Sequence, residues 1–248
     1  LLKNYQLADE IGASIEYRCN KCRNCGQCKR GDLLEQTSLQ EESEQYIIET
    51  SVEYRPSEKL VYSKLPFIQD PVTKLFCNRR IAEAILASQL RTIAKRPGMR
   101  EGVLKSHEKL SSRGFVKALD DLPPNVRDDV SSGGYYIPWR TVYNEGSLST
   151  PLRIVFDASS RTPGGESLND VLAKGINMLA RLLHLVLQFR IGKEAFSADI
   201  SMAYNSVRLV PSDLKYQKYL WSPNLSSDEN AVVMVIMTLI YGVCPAGN

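Results

Sequence analysis

The chain has 248 residues, of which 43% are hydrophobic and 24% charged, with a formal net charge of +3. That length buries a sizeable core and holds one large domain or two small ones, in a composition ordinary for a globular protein. The charge is too small to name a partner, so clustering must do so, and the most apolar stretch, AVVMVIMTLI at 231–240, is shorter than the roughly 18 residues of a membrane span and reads as a buried strand.

The N-terminal LLKNYQLADE has no initiator Met and no basic-then-apolar signal pattern. Residues 1–45 read as a linker that carries a cysteine array, RCNKCRNCGQCKRGD, with four of the chain's six cysteines. Acidic residues follow, among them Glu35, Glu41, Glu42, Glu44, Glu49, Glu53 and Glu58, and read as a solvated face or tether. YIIETSVEYRPSEKLVYSKLPF reads as two strand-like runs about a Pro-Ser turn. From Asn78, Ile81, Ile85, Leu86, Leu90 and Ile93 recur at helical spacing up to Pro97. A second helix spans about Met99 to Arg113 and stops on Gly114. Arg91, Lys95, Arg96, Arg100, Lys105, Lys109 and Arg113 make this pair basic, whether as a binding surface or as a solvated face.

DDLPPNVRDD reads as an irregular surface connection. GYYIPWRTVY and PLRIVFDAS read as strands of a hairpin. NMLARLLHLVLQFR is the strongest helical pattern, with Met178, Leu182, Leu185 and Phe189 on one stripe. Strand EAFSADI, a helical turn through Tyr204, strand KYQKYLW and strand VVMVIMTLIYG complete the order. The last is expected to pair with strands beyond residue 248, because YGVCPAGN stops on a turn signal and both ends read as cuts in a longer reading frame. Helices followed by strand-helix-strand-strand describe an α+β fold with helices packed on an antiparallel sheet.

Asp199 closes the short apolar run EAFSADI, where an unpaired carboxylate is costly unless a cation meets it. A strand-terminal Asp suits Mg²⁺, which takes hard oxygen ligands and relieves that cost. Capping a turn or pairing with a cation are the plainer roles for such an Asp.

In Cys19, Cys22, Cys25 and Cys28 the unbroken C-x2-C run is tight for a zinc tetrahedron and lacks the x3 step and Pro of the ferredoxin-like run. Zn²⁺ ahead of iron–sulfur, on about three of these cysteines, is the expected ligand. Nothing signals the secretion that would favour disulfides. With interleaved cations, such a knuckle would touch nucleic-acid phosphate. Cys77 and Cys244 read as isolated, buried small hydrophobes. His107 and His184 read as structural, with no catalytic part.

Five blocks stand in order: LRIVFDAS (152–159), SLND (167–170), FSADISMAYNSVRL (196–209), YQKYLW (216–221) and YGVCPAGN (241–248). Together with SLSTPLRIVFDASSRTPGGESLNDVLAKG they resemble the reverse transcriptase fingers and palm of Pao/BEL-type long-terminal-repeat retrotransposon polyproteins. The resemblance runs from about Cys19 to Asn248, is densest from Tyr135 onward, and divides the chain into a linker at 1–45 and fingers with partial palm at 46–248.

The resemblance implies RNA-directed DNA polymerase activity, joining a primer hydroxyl to a deoxynucleoside triphosphate on an RNA or DNA template with two Mg²⁺ ions. It implies that Asp199 binds both metals, and that the Ile200 backbone carbonyl helps hold the one on the nucleotide side. Tyr204 matches the aromatic gate beneath the incoming sugar, although a core tyrosine has the same spacing. Arg153 matches the fingers arginine on the triphosphate, a planar fork of donors; an ion pair with Asp157 or Glu145 is the plain alternative. Pro245 and Gly247 match a turn that approaches nucleotide and template closely. Ala246 replaces a glutamine and Met202 an acidic residue found in some relatives.

A pair of adjacent aspartates is expected beyond Asn248. One carboxylate cannot hold two ions roughly 3.5–4 Å apart, so this piece alone is expected to be inactive. The resemblance also implies protease, ribonuclease H and integrase partners in a polyprotein, cytoplasmic virus-like particles with room for a nuclear phase, and no membrane. The rival is a non-catalytic, nucleic-acid-binding remnant of such an element with its Cys-rich metal-binding segment.

Overall fold

The computed structural model describes residues 29–30, 37–144, 146, 152–176, 182–194, 196–227 and 230–243. Cys19, Cys22, Cys25, Cys28, Pro245, Ala246 and Gly247 lie outside them, as do Cys244 and Met178.

The first described element, β1 (Lys29–Arg30), pairs with β2 (Thr37–Ser38), which leads into α1 (Leu39–Ser51). Ser38 and Glu41 form a reciprocal capping box, with Ser38 Oγ accepting from Glu41 N and Glu41 Oε2 accepting from Ser38 N at 2.7 Å. This helix takes YIIET, expected as strand, and runs through residue 45. Then come β3 (Val52–Arg55), β4 (Leu60–Ser63), and the short α2 (Pro71–Lys74).

The two basic helices form as expected, α3 at Arg79–Ala94 and α4 at Met99–Ser112. Leu86, Leu90 and Ile93 of α3 and Met99 and Val103 of α4 face the core. Asn78 heads α3 but spends its side chain elsewhere, bonding Tyr136 N and O at 2.8 and 2.7 Å. Gly114 ends α4 with a φ of 68°.

After β5 (Val116–Ala118), DDLPPNVRDD folds into a 3-10 turn at Leu119–Asp121 and α5 (Pro124–Ser131), where an irregular loop was expected. Pro124 stands in the first turn, where a missing N–H costs nothing. Val130 is fully buried, and Asp129 meets Lys215 Nζ at 3.1 Å.

β6 (Trp139–Tyr143) and β7 (Leu152–Phe156) form the expected hairpin, in register from Trp139 with Phe156 to Tyr143 with Leu152. α6 (Leu182–Phe189) follows, with none of its residues buried. β8 (Val207–Leu209), β9 (Lys218–Trp221) and β10 (Val232–Ile236) end the order.

The architecture is α+β, but its sheets are small. β10 lies between β5 and β9, antiparallel to both. Both edges of this apolar strand are thus filled from within the chain, and the expected pairing with residues beyond 248 is not needed. β3, β4 and β8 form a mixed sheet, because β8 joins β4 in parallel.

The core centres on β9 and β10, α3, α4 and the residues leading into β6. Within it Lys218 is buried, its ammonium donating to Val130 O at 3.1 Å and to Gly133 O, 4.5 Å above the Tyr136 ring. Burial pushes its pKa down to about 8. Among the described residues no helix is long and apolar enough to cross a membrane.

Candidate functional site

Four of the five sequence blocks meet around the turn at Gly242. Asn169, from the 3-10 turn Leu168–Asp170, donates through Nδ2 to Gly242 O and to Ser159 Oγ, both at 2.9 Å. Its backbone N donates to Ala158 O at 3.1 Å. Gly242 has a φ of 105°, and a Cβ there would stand 2.8 Å from Phe156 O. The end of β7, the SLND turn and the YGV turn are therefore locked by one amide and one close backbone approach.

The SLND turn is itself capped. Ser167 N and Oγ donate to Asp170 Oδ2 at 2.9 and 2.8 Å, and the backbone bond from Ser167 holds the Asp170 carboxyl below its ordinary pKa. Asp157 accepts from Ser159 N at 3.1 Å and lies 3.9 Å from Arg140 Nε. Tyr135 donates its hydroxyl to Ser160 O, and burial pushes that phenol's pKa up.

Tyr204 sits in the 3-10 turn Tyr204–Ser206, the helical turn expected there. Its ring is half-buried, with its centroid 5.9 Å from that of Tyr241. The next residue, Asn205, donates to Thr238 Oγ1 at 3.1 Å and Leu239 O at 3.4 Å. Leu239 N returns to Val207 O at 2.9 Å. The Tyr204 turn is thereby fastened to the chain that runs from β10 to Gly242.

Asp199 and Ile200 lie in a non-regular segment, both exposed, where EAFSADI was expected to be a strand. Phe196 is 93% and Ile200 77% exposed. Alternating apolar residues make a strand only beside a partner. Among the described residues none pairs with 196–200. Asp199 makes no hydrogen bond or ion pair with another described residue. Its side chain is exposed, and among the described residues no guanidinium pairs with it. Arg153 stands exposed on β7 opposite Val142, and no ion pair joins it to Asp199.

The Asp199 carboxylate and the Ile200 main-chain carbonyl are hard oxygen donors of the kind Mg²⁺ takes, and a magnesium site commonly has one or two carboxylates, with waters and substrate phosphates filling the rest. Among the described residues no three His, Cys, Asp or Glu groups cluster. The donor set fits one ion completed by substrate and falls short of two.

Sequence reading missed Glu44, assigned to a solvated face. It is buried at 7% exposure, its Oε2 accepting from Lys174 N at 2.8 Å and Gly175 N at 3.2 Å. Its place on the inner side of a capped helix was the available signal. Cys77, expected buried, is exposed, because it precedes the start of α3 on the surface. His107 is the structural histidine expected, buried against Trp221.

No protein-family model matches the chain, and no curated protein matches it.

Proposed function

We propose that the chain is the fingers and first part of the palm of an RNA-directed DNA polymerase of Pao/BEL type, acting in a longer polyprotein on a primer-template and deoxynucleoside triphosphates. The observation that carries this reading is Asp199: an exposed carboxylate with no partner among the described residues, five positions before a tyrosine whose ring meets that of Tyr241 and whose turn is fastened to Thr238 and Leu239. A structural Asp at that place would cap a turn or pair with a cation.

In this reading Asp199 and the Ile200 carbonyl would hold Mg²⁺, which when bound stabilises charge on the attacking and leaving oxygens. Arg153 would grip triphosphate oxygens, and Tyr204 would form the floor under the sugar. The packing of the LRIVFDAS, SLND and YGV blocks around Gly242 would hold the nucleotide-side backbone rigid, as a preorganised site requires.

The test is Asp199→Asn in the complete polyprotein. Primer extension is expected to fall by on the order of 10³ while primer-template binding is kept, since a metal ligand supplies several kcal/mol to the transition state and little to strand affinity. Extension near the parental rate refutes the assignment.

A further inference from the structure

A cavity of about 460 Å³ opens between the β3–β4 turn, the C-terminal end of α4 and the turn at 201–208. That volume lies within the roughly 300–1,000 Å³ of small-molecule sites. Lys59, Arg113 and Arg208 line it, and the lining includes no Asp or Glu.

Among the described residues, none of the three cations has an ion-pair partner. Glu58, next to Lys59, is engaged by the Tyr62 hydroxyl at 2.7 Å and lies 3.7 Å from Arg55 Nη1. Arg208 is fixed at the wall, its Nη1 donating to Gly114 O at 2.7 Å. Arg113 reaches across to the Met202 sulfur, a weak acceptor that leaves the charge whole. Met202 itself holds a φ of 56°, in the left-handed region that non-glycine residues rarely adopt. Such backbone gathers at ligand clamps.

Three like charges around one concavity repel one another unless an anion joins them. Two of them are guanidiniums, whose planar forks match phosphate oxygens. Phe115 supplies an apolar wall beside them, and the Ser201 hydroxyl makes no hydrogen bond among the described residues.

We propose that this cavity binds a phosphate-bearing ligand of nucleotide size, its oxyanions held by Lys59, Arg113 and Arg208 and its ring or sugar against Phe115. The inference uses neither Asp199 nor a metal, although one wall of the cavity is the turn that also carries Tyr204. The phosphate has two sources with the same chemistry, a free nucleotide or one unit of a single strand.

Titration calorimetry of the full chain in the presence of EDTA separates them, with ATP as one probe and a short oligothymidylate as the other. Saturable binding of either is expected, with the affinity lowered about tenfold for each charge removed in Lys59→Gln and Arg113→Gln. Binding is expected to be retained in the charge-preserving Lys59→Arg and Arg113→Lys pair. ATP binding assigns a mononucleotide site, and oligothymidylate binding without ATP binding assigns a strand contact. If neither probe binds, or if the Gln variants bind like the parent, the proposal falls. Affinity in the parent that does not weaken with added salt overturns it equally, whether or not the variants fold.

Discussion

The imidazole of His107 lies flat on the indole of Trp221, ring centroids 3.7 Å apart and 8° from parallel, with Nε2 2.8 Å from the Tyr219 hydroxyl. Burial pushes its pKa down to about 4. An unfolded histidine titrates near 6.5, so as pH falls below that value the unfolded chain takes up the proton first and stability declines until about pH 4, by about 3 kcal/mol in all. Thermal unfolding is expected to show a lower midpoint near pH 5 than near pH 7, and His107→Phe to remove most of that difference; an unchanged difference would place its origin elsewhere. Gly242 sets a second limit of the same kind. Its φ of 105° and the 2.8 Å approach to Phe156 O leave no room for a methyl group. Gly242→Ala is expected to cost about 2 kcal/mol in denaturant unfolding and to loosen Asn169, whose amide bonds the Gly242 carbonyl.

At the scale of elements, α1 belongs to the packed body even though it straddles a boundary drawn from composition. Its Glu44 carboxylate closes on two successive backbone amides, at Lys174 and Gly175. Charge-assisted bonds contribute about 1.5–3 kcal/mol each. Glu44→Ala should therefore speed amide exchange at Lys174 and Gly175 relative to the α3 amides, and equal protection in both proteins would show that the clamp is not formed in solution. The helices α3 and α4 were readable in the sequence because their apolar period coincides with the face they bury, and the β6–β7 hairpin because its alternation has a partner within a short loop. Where those conditions failed, so did the reading. Prolines in DDLPPNVRDD open a helix instead of preventing one, and EAFSADI has the alternation of a strand without a neighbour among the described residues. For α6, Leu182, Leu185 and Phe189 do share a stripe, yet they are 76%, 47% and 58% exposed; periodicity reports that a face exists and not what meets it.

In the molecule as a whole, the blocks that carry the functional reading stood in order in the sequence, but which of them touch was not visible there. Asn169 reaching Gly242 and Tyr204 reaching Tyr241 are long-range contacts, set by how β10 is held in the middle of its sheet. The basic cavity was hidden for the same reason, since Lys59, Arg113 and Arg208 come from three separated segments and only one of them, Arg113, fell in a stretch read as basic. The pairing of β10 with β5 joins Val116 to Ile236 and Ala118 to Met234. On the ribosome β5 leaves the exit tunnel long before its partner is made, and two-state closure of so distant a contact is slow. A nascent chain must therefore leave β5, and the part of the α3–α4 surface that meets β9, uncovered until those partners are made, which makes it a client for chaperones that shield such surface.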